Sequence, residues 1–147
     1  MKRFTTALLL TLFTTLIAFS QNEGWKLDKA HSNVGFSVKH MVISDVTGNF
    51  GDFDIRLTSS KDDFSDASVE ATIKVASIDT DNERRDNHLK SDDFFNAEKF
   101  PEIRFKGVSF QKVGDKQYKI TGDLTIRDVT KRVTFDALFN GSVKTPW

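Results

Sequence analysis

The residues best suited to chemistry are concentrated in one segment, residues 79–105, which interrupts a long series of alternating strands. Arg85 and His88 supply a cation and an imidazole there, and the paired rings of Phe94 and Phe95 follow them. A single charged and aromatic insert in a strand-rich chain is typical of a lid or mouth over a cavity. The alternative is a packed cross-connection whose charges are simply solvated.

Catalysis lacks its usual residues in this sequence. There is no Gly-x-Ser-x-Gly elbow, no cysteine, no phosphate-cradling loop and no zinc signature. Asp92 and Asp93 are adjacent in a polar run, where solvated or capping roles suit them better than acid–base work. We therefore expect neither an enzyme nor a cofactor.

The histidines His31, His40 and His88 raise the question of a metal site. Their spacing matches no compact metal-binding motif, although three histidines from two strands and a helix can converge in space. Hydrogen bonding by His40 and His88 at the mouth of a cavity is the favoured role, and we expect no metal.

The first 20 residues have the layout of a secretory signal peptide. Lys2 and Arg3 precede an apolar run over residues 7–18, and small or polar residues follow near Ser20 and Gln21. This run is shorter than the roughly 20 residues that cross a bilayer, so we expect cleavage rather than a membrane span. The expected location is the periplasm or the exterior.

The composition of residues 21–147 narrows the choice of partners. Without Lys2 and Arg3 the chain has 19 basic and 21 acidic residues, which favours neither nucleic acid nor an anionic membrane surface. The absence of cysteine leaves burial of apolar groups to hold the fold together. Phenylalanine far outnumbers the single Tyr and two Trp, as expected either for a core or for a pocket that takes apolar chains.

Most of this region predicts strands, because apolar and polar residues alternate along it. The predicted strands open at Trp25 and cover residues 34–38, 46–57, 69–75, 103–110, 118–126 and 133–139. Gly48 and Gly51 lie where the second of these ranges needs to bend, and Lys106-Gly107 predicts a bulge. Turns are predicted at Gly114-Asp115 and over 128–130, and Asn140-Gly141 predicts a hairpin into one more strand.

The insert itself predicts a short helix. Thr80-Asp-Asn-Glu83 has the form of a capping box that leads into a helix over residues 84–90. On that helix Arg84 and His88 share a face, as do Arg85 and Leu89. About seven strands, short polar turns and one helical insert argue for an antiparallel barrel or sandwich in a single domain, and we favour the barrel. Its interior would be filled by side chains or hold one ligand.

Three motifs carry a resemblance to a known family. They are residues 28–40 (DKAHSNVGFSVKH), residues 85–95 (RDNHLKSDDFF) followed by 100–105 (FPEIRF), and residues 122–134 (GDLTIRDVTKRVT). Their order and separation resemble the YceI-like family from Trp25 to the last residue. The resemblance implies an all-β, exported, lipocalin-like antiparallel β-barrel whose apolar tunnel binds a polyisoprenoid, isoprenoid quinone or similar lipid. It also suggests a homodimer.

The resemblance and the strand faces together predict the site. Seven residues fall at characteristic positions of the family motifs: His31, His40, Arg85, His88, Leu89, Phe94 and Phe95. The full predicted ligand-binding set is Phe36, Val38, His40, Phe53, Ile55, Ile73, Arg85, His88, Leu89, Phe94, Phe95 and Phe105.

In this interpretation, Arg85 and His88 hold a head group at the mouth and the rings line the channel for its tail. Two alternatives stay open. Arg85 pairs with Asp92 or Asp93 and braces the insert, or the barrel is filled by its own side chains and the protein binds a partner protein.

The sequence departs from the family pattern at three places. Asp128 stands where the family often has Gly, and Arg132 stands where it often has Pro. Lys144-Thr-Pro-Trp147 resembles a motif that normally continues into further strands. We therefore expect a domain over residues 21–147 that is truncated at its C-terminus and lacks the closing strands of the barrel.

Overall fold

A computed structural model describes residues 24–142. Within this range there are nine strands, one α-helix and two single 3-10 turns. The strands are β1 (Gly24–Trp25), β2 (Val34–His40), β3 (Ser44–Phe50), β4 (Phe53–Thr58), β5 (Ser68–Lys74), β6 (Ile78–Asp79), β7 (Glu102–Gly114), β8 (Gln117–Ile126) and β9 (Val129–Leu138). The helix α1 spans Glu83–Lys90, and the 3-10 turns span Lys29–His31 and Val75–Ser77. The predicted signal peptide and the last five residues lie outside the described range.

The strands of residues 24–142 form two antiparallel sheets. The six-stranded sheet has the order β1-β4-β5-β7-β8-β9, and the three-stranded sheet has the order β2-β3-β6. The prediction of an antiparallel β fold with one helical insert is confirmed. A single closed barrel is not formed by these residues, because β3 and β4 are consecutive in the chain yet lie in different sheets.

The point of separation between the sheets is Gly51. The prediction of one bent strand over residues 46–57 was wrong, since β3 ends at Phe50 and β4 begins at Phe53. The Gly51 N–H donates to the Ser77 carbonyl at 3.1 Å instead of to a strand neighbour. Alternation continues on both sides of Gly51, so the sequence pattern alone could not distinguish a bend from a change of sheet.

The three long strands β7, β8 and β9 follow the prediction closely. The register between β7 and β8 shifts between Gly107 and Ser109, which confirms the predicted bulge with a displacement of one residue. The turn between β8 and β9 is shorter than expected and comprises Arg127 and Asp128, with Arg127 at φ +58°. No helix among the described residues has the length and apolar character needed to cross a membrane.

Apolar side chains form two separate clusters between and beside the sheets. The insert-side cluster has Phe50, Val75, Ile78 and Ile103 at its centre, all buried. The residues packed around it come from both sheets and the insert: Val34, Phe36, Ile73, Leu89, Phe95, Ala97 and Leu124. The Phe64 cluster consists of the rings of Trp25, Phe64, Phe110, Tyr118 and Phe139, whose centroids lie 5.2 to 5.9 Å apart in the contacting pairs.

Candidate functional site

The predicted residues on β2 share one face of the three-stranded sheet. Phe36, Val38 and His40 alternate along the strand and lie opposite Gly48, Val46 and Ser44 of β3. Their exposure rises along the strand, because Phe36 packs on the insert-side cluster whereas Val38 is 54% exposed and His40 is exposed. The apolar face of this hairpin therefore runs from the core into open solvent.

The predicted residues on β4, β5 and β7 share one face of the six-stranded sheet. One cross-strand row joins Phe53, Ile73 and Ile103, because residues paired across strands lie on the same side. Ile55 and Phe105 belong to the next row, on either side of Ala71. Phe53 and Phe105 are buried, so this part of the predicted wall lies under neighbouring side chains.

The same apolar face becomes exposed on β8 and β9. The Phe105 ring contacts the Phe135 ring edge-on, with centroids 5.3 Å apart. Phe135 is 47% exposed, and Val129 on the same face of β9 is 53% exposed. A Cβ added at Gly122 would overlap the Phe105 Cζ, so the glycine makes room for that ring. Phe135 is a site candidate that the sequence analysis left out.

The two rings of the insert have different surroundings. Phe95 packs against the insert-side cluster, where its ring lies 6.3 Å from that of Phe50, and Leu89 packs there too. Phe94 is 48% exposed and makes an edge contact with the His88 imidazole at 4.8 Å. Thus the structure brings Phe36, Ile73, Leu89 and Phe95 together in one cluster and leaves Phe94 on the surface.

Arg85 binds the backbone and side chain of Thr80. Its Nε donates to Thr80 Oγ1 at 2.7 Å and its Nη2 donates to the Thr80 carbonyl at 2.6 Å. The Thr80 hydroxyl in turn donates to Asp86 Oδ1 at 2.5 Å, and the same oxygen accepts the Thr80 N–H at 3.0 Å. The alternative prediction, a pair between Arg85 and Asp92 or Asp93, was wrong.

This arrangement also corrects the predicted capping box. The helix N-cap is Asn82, whose side-chain oxygen accepts the Arg85 N–H at 2.9 Å. Thr80 and Asp86 are both buried; the sequence pattern had indicated a helix cap for Thr80 and no role for Asp86. Their signal was weak, because a Thr three residues before a Glu also fits a capping box and only the packed structure distinguishes the two roles.

A polar groove lies along one side of α1. Its volume is about 440 Å³, and Asn82, Arg84, Arg85 and His88 line it. His88 Nε2 lies 3.2 Å from Asp93 Oδ2, so that imidazole is held by a carboxylate from the segment after the helix. The structure therefore joins the predicted Arg85 and His88 in one open groove and adds Arg84 to it.

Arg127 ties the insert to the six-stranded sheet. Its Nη1 donates to the Phe94 carbonyl at 2.8 Å and to the Asp92 carbonyl at 3.3 Å. Its guanidinium also lies 5.5 Å from the centroid of the Phe100 ring. The turn between β8 and β9 thereby positions the segment that carries Phe94.

Ion pairs cover the outer face of the six-stranded sheet, opposite the apolar face. Lys74 and Arg104 both donate to Glu102, at 2.5 and 2.6 Å, and these hydrogen bonds hold the pKa of Glu102 below its usual range. Arg132 donates to Asp123 at 2.6 Å and lowers the pKa of that carboxyl in the same way. Both carboxylates stay charged at neutral pH, so this face suits solvent and not an apolar ligand.

The three histidines lie in different surroundings. His31 Nδ1 lies 2.8 Å from Asp28 Oδ2, His88 pairs with Asp93, and His40 ends β2. Across residues 24–142, no three His, Asp or Glu side chains form a group that would hold a metal ion.

Comparison with known proteins places this architecture in a family. The YceI-like domain family matches residues 25–145. A UPF0312 protein of Staphylococcus aureus (strain USA300) is 46% identical over 121 residues, which cover 81% of this chain and 67% of that protein. The chain thus spans about two thirds of the length of this relative.

Two solved structures are similar to this fold. The Campylobacter jejuni YCEI protein has a TM-score of 0.65 and 42% identity, and the match covers 83% of this chain and 71% of that one. Burkholderia cenocepacia BcnA has a TM-score of 0.70 and 26% identity over 76% of this chain and 69% of that one. These neighbours fit a lipocalin-like fold and favour a binding protein. By its motifs, its sheets and these relatives, the chain belongs to the YceI-like family.

Proposed function

We propose that this protein is an exported carrier that holds a polyisoprenoid, an isoprenoid quinone or a similar amphiphilic lipid against the apolar faces of its two sheets. It would act by binding and release and not by catalysis. A closed, lipocalin-like barrel around the ligand, release from the signal peptide near Ser20 and Gln21, and pairing into a homodimer belong to the same proposal.

The observation that carries the proposal is the exposed part of the apolar face. Large apolar patches that stay open to solvent mark binding surfaces in soluble proteins. On β9, Phe135 and Val129 are about half exposed, and on β2 Val38 is 54% exposed. Phe135 contacts the buried Phe105, and Val38 follows the core-packed Phe36 along β2, so a long apolar ligand could extend the core outward along either sheet.

The insert offers polar side chains next to an exposed apolar ring. The groove beside α1 presents Arg84, Arg85 and His88, and the His88 ring touches the half-exposed Phe94. A polar head group in the groove would therefore have an apolar ring directly beside it. This juxtaposition suits an amphiphile, with a quinone, hydroxyl or phosphate at one end and a hydrocarbon chain at the other.

Apolar burial would supply most of the affinity. Removing a carbon of a hydrocarbon chain from water contributes roughly 0.8 kcal/mol, so one isoprene unit of five carbons contributes about 4 kcal/mol. Burial of a few such units contributes more free energy than a single exposed hydrogen bond to Arg84 or His88, which contributes about 1 kcal/mol. We therefore expect the chain to set affinity and the groove to set orientation.

Native mass spectrometry before and after organic extraction tests the proposal. The extracted protein is then incubated with an isoprenoid quinone, beside the variants Phe135→Asp and Thr134→Asp. These neighbours lie on opposite faces of β9, so the Thr134 variant is a matched control for adding a charge. The proposal predicts a lipid-sized mass on the parent and Thr134→Asp proteins and a large loss of it on Phe135→Asp.

A folded parent protein that carries nothing after incubation would contradict the proposal. It would instead favour the alternative function, an interaction protein whose interior is filled by its own side chains. A circular dichroism melt of each variant checks that an empty protein is still folded.

A further inference from the structure

The turn between β2 and β3 ends in a small apolar surface, the hairpin tip, which consists of Met41, Val42 and Ile43. Their side chains are 76%, 87% and 89% exposed. An isolated exposed apolar residue is ordinary, but three consecutive ones at a protruding turn place most of their apolar area in water. Burial within the described fold therefore does not account for them.

Backbone preference does not account for these residues either. The Ile43 N–H donates to the His40 carbonyl at 3.3 Å, which closes a β-turn with Met41 and Val42 at its centre. Both central residues have positive φ, at +51° and +68°. Hairpin turns with two such residues favour Asn-Gly, and a β-branched residue in this region is an outlier. The chain thus holds two unfavourable residues where a better turn sequence is available.

The hairpin holds the tip away from the core on a continuous ladder. Pairing runs without interruption from Val34 opposite Phe50 to His40 opposite Ser44. The end next to Phe50 is anchored in the insert-side cluster, whereas exposure increases toward the tip. The three side chains are therefore presented as a unit at the end of a two-stranded arm.

The charges around the tip suit an interface between water and an apolar phase. The tip itself carries no charge, and the acidic Asp45 just behind it pairs with Lys39 at 3.0 Å. His40 and Ser44 complete a polar collar at the base of the turn. An apolar point with a neutralised polar collar matches the depth profile of a phospholipid bilayer, where apolar groups enter about 5–10 Å and polar groups stay with the head groups.

We propose that the hairpin tip is a membrane-contact element that inserts Met41, Val42 and Ile43 into the interface of a phospholipid bilayer. A bilayer is a better occupant than a second copy of this chain, because a fluid surface adapts to a convex point. The groove beside α1, lined by Arg84, Arg85 and His88, would lose hydration without compensation if it received such a point. The purpose of the contact, loading and unloading of lipid, rests on the proposed function, whereas the contact itself does not.

Flotation with vesicles of phosphatidylcholine alone, free of isoprenoids, tests the contact. The informative variant combines Met41→Asn with Val42→Gly, because Asn-Gly suits the turn and removes two apolar side chains. We expect this variant to be at least as stable as the parent protein to heat, yet to bind vesicles at least about tenfold more weakly. Val108→Asn, which removes an exposed apolar side chain outside this hairpin, should bind within about twofold of the parent because Val108 takes no part in the insertion.

Equal vesicle binding by the parent and the Asn-Gly variant would overturn the proposal, as would a parent protein that does not float with vesicles. A concentration-dependent dimer in sedimentation that the same variant abolishes would show that a second copy covers the tip. Failure of the proposed function is seen separately: in native mass spectrometry the Asn-Gly variant, incubated with quinone in detergent, should still carry lipid. A protein that floats but never carries lipid would contradict the carrier and leave the contact standing.

Discussion

The two apolar clusters of this protein both contain aromatic rings but differ in what surrounds their buried centres. The Phe64 cluster surrounds Phe64, which is 6% exposed, with the rings of Trp25, Phe110, Tyr118 and Phe139. The insert-side cluster is buried at its centre, yet the apolar faces that lead away from it remain open. Ring content alone therefore does not identify a ligand surface, whereas the way exposure changes along a continuous apolar face does.

The largest expected effect tests whether the Phe64 cluster is purely structural. Phe64→Ala should lower the free energy of unfolding by about 3–5 kcal/mol, because it removes the ring that all the others contact. Phe94→Ala, at a half-exposed ring of the insert, should cost about 1 kcal/mol, as expected for the loss of one aromatic contact. Urea denaturation measures both values. Similar losses of unfolding free energy for the two variants would mean that the Phe64 cluster is no more important to the fold than the exposed ring of Phe94.

A smaller effect concerns how the insert is fixed to the fold. Thr80→Val keeps the shape of the side chain but removes the hydroxyl that accepts from Arg85 and donates to Asp86. We expect a loss of about 1–3 kcal/mol in unfolding free energy, since buried partners are left unsatisfied. The control Thr130→Val, at an exposed threonine of β9, should stay within about 0.5 kcal/mol. Hydrogen exchange should show faster exchange of the α1 amides only in the Thr80 variant.

The pH dependence of the unfolding free energy tests the loop that carries Phe64 separately from the insert. Hydrogen bonds from Ser60 and Ser59 hold the pKa of the Asp66 carboxyl well below its usual range. Because the folded-state pKa lies below the unfolded-state pKa of about 4, the stabilisation is full above about pH 4. It is lost as the pH falls from there through the folded-state pKa.

The parent protein should therefore be more stable than Asp66→Asn at about pH 6, and the difference should shrink in urea titrations below about pH 4. A difference that stays constant over this range would show that the Asp66 charge does not hold the loop.

The smallest expected effect is at Arg84, an exposed residue of the groove beside α1. Arg84→Gln should change the unfolding free energy by less than about 0.5 kcal/mol. Arg85→Gln removes two hydrogen bonds to Thr80 and should cost more, about 1–3 kcal/mol. If both variants behave alike in thermal melts, the assignment of Arg85 to a structural network would be wrong.

Periodicity predicted most of the fold from the sequence because each strand buries one side. The faces of β2, β4, β5 and β7 follow directly from alternation, and the motif resemblance identified the family. The break at Gly51 was not predictable, because the apolar positions change there from even numbers (Val46, Phe50) to odd numbers (Phe53, Ile55), and a bulge within one strand gives the same change. Phe64 was missed since a single ring in a polar loop has no period, and it takes a backbone of φ +57° to turn it into the fold.

The site was predicted less completely than the fold. Resemblance drew attention to Arg85 and His88, which line one groove, but the contacts of Arg85 with Thr80 depend on how the insert packs. Phe135 lies outside the motif positions that were carried over, and its proximity to Phe105 comes from the pairing of β7, β8 and β9. Contacts between distant segments require the register, which the sequence pattern alone does not provide.

Hydrogen–deuterium exchange with and without a bound isoprenoid quinone tests the central claim most directly. We expect ligand to slow exchange in β2, in the insert over residues 83–97 and in β9, and to leave the loop over residues 59–67 unchanged. Protection confined to the loop around Phe64, or no protection anywhere in a protein shown to be folded and exposed to saturating quinone, would contradict the claim that the open apolar faces hold the lipid.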